Sequence, residues 1–299
     1  MNYMNKIPKF TDNGIEYIDA DAFCKKVASI NENRLYHFTS FENFVKIWLS
    51  KSLLFSKRER MNDVAEKEDM IKGNNPANMM AYLYAVREYS QISFSNAKIP
   101  PSNDEKMEIA IYQSPLMWGI YAKNATGVCI EFDKNKLLSK LSSGHVIGNN
   151  IRYIPYIPNN SLIESESTAI ESIQSIDDAR LIVEKHIDEI YFVKSAKWQF
   201  ENEYRLISRD CSQLGIDGLI TKIFIYNGNS NQEKMIYNLI QNQIEVKVVY
   251  LSTILSGQRY FDTYTLSSNI ITFCNDDWRN MFEKMLIEDK RKKLNGTNR

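Results

Sequence analysis

The sequence predicts an α+β protein, with mixed, mainly antiparallel sheets of short strands and helices around them. Three observations lead there. Apolar residues recur at helical spacing in several places, most clearly Phe41, Phe44, Val45 and Trp48 at i, i+3, i+4 and i+7. Short runs rich in β-branched and aromatic residues (RLYHF, QISFS, GVCIEFD, EVKVVYLSTIL) come from distant parts of the chain. No internal repeat or low-complexity segment organises them.

Element by element, the pattern is as follows. Residues 19–30 read as a helix, with Asp19 or Asp21 as N-cap and Phe23, Val27 and Ile30 on one face. A strand RLYHF follows, then the helix 41–51 capped by Ser40, then a strand SLLFS. The polar turn Met61-Asn62-Asp63 leads into a helical region, and Pro76 opens a helix over 76–89, where its missing N–H does no harm. QISFS is a strand, and Pro100-Pro101 marks a loop. Ser114 and Pro115 start a short helix through SPLMWGIYAKN, and GVCIEFD returns as a strand. A helix, a strand RYIPYI, a loop over 157–170 and a long helix over 176–194 come next. KWQFENEYRLISR reads as one strand, because Trp198, Phe200, Tyr204, Leu206 and Ile207 suit a half-buried pleated surface. Strands LITKIFIYN and EVKVVYLSTIL flank a helix at 231–242, and a last helix lies near 276–293. All of this reads as one domain over 1–299, its motif-bearing core at about 34–210 and further strands and a helix in 211–299.

The chain has 299 residues, long enough to bury a core without covalent staples, and its 37 Lys and Arg balance 37 Asp and Glu. That balance offers no general attraction to nucleic acid or to an anionic membrane. Cys24, Cys129, Cys211 and Cys274 show neither CxxC spacing nor a nearby histidine, which argues against a zinc site or a disulfide framework. The first residues lack the apolar core of a signal peptide, and no apolar stretch approaches about 18 residues. The expectation is a soluble cytoplasmic protein with no membrane partner and no bound metal.

Four stretches combine polar chemistry with aromatic neighbours: LYHFTS (35–40), MNDVAE (61–66), ISFS with LMWGIYAKNATGVCIEFD (92–95 and 116–133), and KWQFENEYR (197–205). Each has an ordinary reading. His37 suits a hydrogen-bonded structural histidine, Asn62-Asp63 a turn, and Trp118 and Tyr121 a helix core. Glu201 and Glu203 suit a sheet face paired with lysines. On a strand these two carboxylates lie side by side with Arg205 next on the same face, which is costly unless a cation faces them.

Together and in order, Y-H-F-T, N-D-x-x-E, F-S, L-M-W-x-x-Y-A, G-V-C-I-E-F and W-x-x-E-x-E-Y-R resemble the bacterial domain of unknown function 2971 family over about residues 34–210. The chain departs from that family at Val64-Ala65, where the family carries Pro-Phe. The order of a strand-borne histidine, an S-x-S strand and a strand-borne glutamate also resembles the ADP-ribosyltransferase layout, and Glu201-x-Glu203 resembles the paired glutamates of arginine-modifying transferases.

That second resemblance implies an ADP-ribosyltransferase-like core and NAD as substrate. The function expected is an NAD-dependent ADP-ribosyltransferase or NAD glycohydrolase of the bacterial cytoplasm, suited to a toxin or to phage defence. Glu203 would stabilise the oxocarbenium-like ribosyl cation, and Glu201 would orient or deprotonate an acceptor, whether protein, nucleic acid or water. His37 with Thr39 would position ribose, Ser93 and Ser95 would fix the ribose or support Glu203, and Trp118 or Tyr121 would stack on nicotinamide. Two other classes stay open. Asp63, Glu66, Glu201 and Glu203 could converge on magnesium in a nuclease or phosphohydrolase, or an aromatic-lined pocket could sense a nucleotide without reacting.

Overall fold

The computed structural model describes residues 6–11, 14–19, 31–61, 75–99, 109–141, 145–155, 170–226, 230–241, 243–253 and 259–265. The expected helices at 19–30 and 276–293, the Pro100-Pro101 loop, and the motif residues Asn62, Asp63 and Glu66 lie outside these residues, apart from Asp19 at the end of a strand. Chain contacts divide the protein into two compact units, Met1–Thr221 and Lys222–Arg299.

The elements run β1 (Lys6–Thr11), β2 (Gly14–Asp19), β3 (Arg34–Thr39), α1 (Phe41–Ser50), β4 (Ser52–Leu54), β5 (Ser56–Lys57), α2 (Pro76–Glu88) and β6 (Ser90–Asn96). Then come β7 (Lys98–Ile99), β8 (Ile109–Ala110), α3 (Pro115–Tyr121), β9 (Val128–Asp133), α4 (Lys134–Lys140), β10 (Ile147–Asn150) and β11 (Arg152–Ile154). After these follow α5 (Ile176–Lys185), α6 (Ile187–Tyr191), β12 (Val193–Ser195), β13 (Glu203–Ser208), β14 (Gln213–Gly215) and β15 (Ile220–Tyr226). The chain continues through α7 (Ser230–Ile240), β16 (Glu245–Thr253) and β17 (Arg259–Thr265).

The first unit is built on an antiparallel sheet in the order β10-β13-β6-β3-β9, with β5 also pairing with β6. Strands β4 and β14 pair antiparallel, as do β7 and β8, whereas β11 and β12 run parallel. In the second unit β15 and β16 run parallel, joined through α7, and β17 returns antiparallel beside β16. The fold is therefore α+β with mixed, mainly antiparallel sheets.

Local sequence explains the helix starts. Ser40 accepts from Asn43 N at 3.2 Å and Ser114 from Met117 N at 3.3 Å, while Pro115 sits where no N–H is needed. Helix α1 buries Phe44, Ile47 and Trp48.

Two expectations need correction. The long helix over 176–194 is broken at His186 and again at Phe192, which leave helical geometry at φ −110°, ψ 25° and φ −113°, ψ 21°. Val193–Ser195 then forms β12, which puts Lys194 on a strand. The second correction concerns 197–202. Ala196–Glu201 is a 3-10 turn, and Asn202 adopts the left-handed region at φ 42°, ψ 53° before β13 begins at Glu203. Asparagine tolerates that conformation better than most side chains, and its amide donates to the Lys98 carbonyl at 2.6 Å. Nonlocal bonding overrides the strand preference of Trp198 and Phe200.

Candidate active site

Pairing across the sheet sets the site. Glu131 lies opposite Tyr36, Tyr36 opposite Ser95, and Ser95 opposite Glu203, so these four residues form one row across β9, β3, β6 and β13 on a single face. Ser93 and Arg205, each two residues along and opposite each other, share that face. Ile207, two further on, packs into an apolar cluster with Tyr82, Val86, Val183 and Tyr191 of α2, α5 and α6. Those helices cover the Arg205 end of the face, and Arg205 Nη1 donates to the Tyr191 carbonyl at 2.7 Å.

Glu201 and Glu203 do meet, by a route other than strand alternation. Glu203 starts β13, and Glu201 ends the 3-10 turn before the left-handed Asn202. Lys194 Nζ lies 2.7 Å from Glu201 Oε2 and 3.4 Å from Glu203 Oε2. Arg205 grips Glu203 with a two-pronged contact, Nε to Oε1 at 2.7 Å and Nη2 to Oε2 at 2.9 Å. Tyr121 Oη donates a short hydrogen bond to Glu201 Oε1. The backbone N–H of Glu203 donates to Tyr153 Oη at 2.8 Å. Both carboxylates are 3% exposed, Lys194 7% and Arg205 2%. Two anions and two cations are thus sealed together, which is what makes their burial tolerable.

The pKa values of the two carboxyls shift in opposite directions. Burial raises that of Glu203, but Arg205 and Lys194, with hydrogen bonds from Arg205 and Ser93, outweigh burial and hold it at about 2. For Glu201, burial and the neighbouring Glu203 prevail over Lys194 and Tyr121, and its pKa is raised. Environments that push paired carboxyls apart separate a permanent anion from a group that exchanges a proton.

The other sequence candidates are placed as follows. Ser93 and Ser95 lie on the Glu203 face. Tyr121 joins the network, as a hydrogen-bond donor rather than as a stacking ring. Trp118 is 1% exposed, edge-on to Phe38 at 5.3 Å, and its indole N–H donates to the Tyr112 carbonyl at 2.6 Å, so the protein core already occupies it. His37 and Thr39 follow the opposite parity on β3 and point to the other face, where His37 lies edge-on to Phe94 at 5.9 Å. His37 Nδ1 donates to the Ser93 carbonyl at 3.0 Å, leaving Nε2 as the acceptor of the neutral ring, and burial lowers its pKa against that bond. The histidine therefore touches the backbone of the residue whose side chain serves Glu203, while its own side chain lies on the opposite face of the sheet.

Two functional groups escape sequence reading. Lys194 is the shared cation, and it becomes visible only when β12 is recognised as a strand. Glu131 is a further buried carboxylate, bonded by Tyr36 Oη at 2.8 Å and Thr221 Oγ1 at 2.5 Å, with Arg34 Nε at 3.4 Å. Its signal was a lone acid inside the apolar run GVCIEF.

Among the described residues no group of three or more histidine, cysteine, aspartate or glutamate side chains is placed to hold a metal ion. Likewise no described helix is long and apolar enough to cross a membrane. A surface cleft of about 860 Å³ lined by Lys57, Glu88, Arg180, Glu184, Arg209 and Asp210 shares no residue with the carboxylate network. Its charges are cross-paired, Arg180 with Glu88 at 2.6 Å and Arg209 with Glu184 at 3.1 Å, so the cleft is the weaker candidate.

Residues 117–206 match the family model described as Protein of unknown function (DUF2971). The matched segment carries Tyr121, Glu131, Lys194, Glu201, Glu203 and Arg205, whereas Tyr36, Ser93 and Ser95 precede it. No curated protein and no solved structure matches the chain.

Proposed function

We propose that the chain transfers the ADP-ribosyl group of NAD, to water or to a macromolecular acceptor, at the Glu201–Glu203 pair. One observation carries this reading: two buried carboxyls share a single ammonium, yet one is held ionised and the other is pushed toward its protonated form. Cleavage of the nicotinamide–ribose bond spreads positive charge over the ribose ring, and a preorganised anion in a water-poor setting stabilises that charge best. Glu203, fixed by Arg205, has that character. Glu201, with its raised pKa, suits removal of a proton from the attacking group. Ser93 and Ser95, beside Glu203 on the same face, take the ribose-positioning role, and His37 is left out of it.

Incubation of the full chain with NAD, followed by mass spectrometry of small molecules, protein and nucleic acid, tests the proposal. Release of nicotinamide with a matching ADP-ribosyl product is the expected outcome. A nucleotide-sensing module is favoured by a different observation, that both Glu203 oxygens are already held by Arg205 and Lys194. Binding of NAD without any release of nicotinamide would select that reading. Loss of activity on chelation would instead select the magnesium enzyme.

A further inference from the structure

Glu201 is 3% exposed, and an attacking molecule cannot reach its oxygens without passing the groups that hold them. One oxygen is held by Lys194, itself 7% exposed and set over the Trp198 ring at 4.8 Å. The other is held by Tyr121, which is partly exposed. The phenol is thus the outward member of the chain Tyr121–Glu201–Lys194–Glu203–Arg205. A phenol is both donor and acceptor, so it can take one proton while it gives another.

We infer that Tyr121 is the catalytic group that meets the acceptor, and that it relays the acceptor's proton to Glu201. This rests on the glycosyl-transfer reading and specifies its acceptor chemistry: water or a hydroxyl, whose proton must leave as the new bond forms. The step balances. The C1′–nitrogen bond breaks with its electron pair going to nicotinamide, which departs neutral. An acceptor oxygen lone pair forms the new bond to C1′. The acceptor proton passes to Tyr121 Oη as the tyrosine proton passes to Glu201 Oε1. Glu201 ends protonated and Tyr121 unchanged.

The position of Tyr121 is set by local structure. It is the last residue of α3, and the chain after Ala122 runs through three consecutive left-handed residues, Lys123, Asn124 and Ala125, at φ 49°, 55° and 63°. The turn is closed by bonds from Asn124 N to Gly119 O at 3.1 Å and from Ala125 N to Trp118 O at 2.9 Å. Such residues are held in place only where the surroundings over-determine them. A tight turn anchored on buried Trp118 thereby fixes the end of α3 against Glu201.

The test compares wild type with Tyr121→Phe, each supplied with NAD in water and in azide. Azide is an anionic nucleophile and needs no base. In water, Tyr121→Phe should release nicotinamide about a hundredfold more slowly, the scale of one proton-transfer group, with NAD affinity by calorimetry unchanged. With azide, the same variant should form azido-ADP-ribose at a rate within a few fold of wild type, which a misfolded or mispositioned site would not allow. A water rate equal to wild type, or loss of the azide reaction together with the water reaction, overturns the relay while the glycosyl-transfer reading stands. A wild-type protein that releases no nicotinamide in either medium overturns both.

Discussion

Glu203 and Arg205, two residues apart on β13, lie side by side on one sheet face and join through two parallel hydrogen bonds of 2.7 and 2.9 Å. An i, i+2 pair on a strand is the shortest sequence separation at which two side chains share a face. Here it puts a guanidinium beside a buried carboxylate.

Removing that guanidinium leaves Glu203 buried with the Ser93 hydrogen bond and a Lys194 ammonium already shared with Glu201. Arg205→Met should lose about 3–5 kcal/mol of unfolding free energy, the usual cost of orphaning one member of a buried pair. Arg205→Lys keeps the charge but not the fork, and should lose less. Denaturant titration monitored by far-UV circular dichroism gives both values. A change below about 1 kcal/mol for Arg205→Met would mean that the pair is solvated.

The opposite pKa shifts of the two glutamates set a pH dependence. Glu203 has a folded pKa below its ordinary 4.5, so its contribution is complete above that value and is lost as pH falls toward about 2. Glu201 has a folded pKa above 4.5, so it costs stability once pH rises through that window. The melting temperature of Glu201→Gln relative to wild type should therefore climb as pH rises through the ordinary carboxyl value of 4.5 and above it. A difference that stays flat or falls over that range contradicts the assignment of Glu201 as the proton-exchanging carboxyl.

Gly127 and Ala125 make a paired test of the turn after α3. A Cβ on Gly127 would lie 2.1 Å from the Thr39 carbonyl oxygen and 2.9 Å from the Ala122 backbone, so no rotamer change relieves it. Gly127→Ala should destabilise by about 3 kcal/mol, at the upper end of overpacking costs. Ala125→Gly, at φ 63°, should stabilise by about 1 kcal/mol, since the left-handed penalty exceeds the added freedom of the unfolded chain. Thermal unfolding should move in opposite directions for the two variants.

His37 separates the sequence expectation from the structure. Because it faces away from Glu203 and bonds the Ser93 carbonyl, His37→Phe should cost about 1 kcal/mol of stability through the lost hydrogen bond. NAD affinity by calorimetry should change by less than about threefold, within the scatter of a substitution that touches no ligand. A loss of affinity above about tenfold would restore the histidine to the site.

Much of the fold is legible in the sequence where a local rule governs it. The spacing of Phe41, Phe44, Val45 and Trp48 marks α1, although Ile47 rather than Phe41 or Val45 completes its buried face, the Ser114-Pro115 pair marks the start of α3, and the β-branched runs mark β6, β9 and β13. Legibility fails where a distant partner decides. Trp198 and Phe200 are strand-type residues drawn into a 3-10 turn by the left-handed Asn202 and its bond to Lys98, about a hundred positions away. Lys194 reads as the end of a helix until the parallel pairing of β12 with β11 is known. For the site, the sequence shows that two carboxylates need a facing cation and puts Arg205 on their face, but it does not point to Lys194 as the cation they share. The parity of β3, which sends His37 to the far face, follows only from its register with β6 and β9.

The central claim is that Glu203 supplies fixed negative charge to a ribosyl cation. The most direct measurement is single-turnover release of nicotinamide from NAD by wild type and by Glu203→Gln, with folding of both verified by thermal melts. Wild type should release nicotinamide. The variant keeps the shape but loses the charge, and should be slower by about a hundredfold or more, the scale of losing one preorganised electrostatic group. Release by folded Glu203→Gln at the wild-type rate would contradict the account.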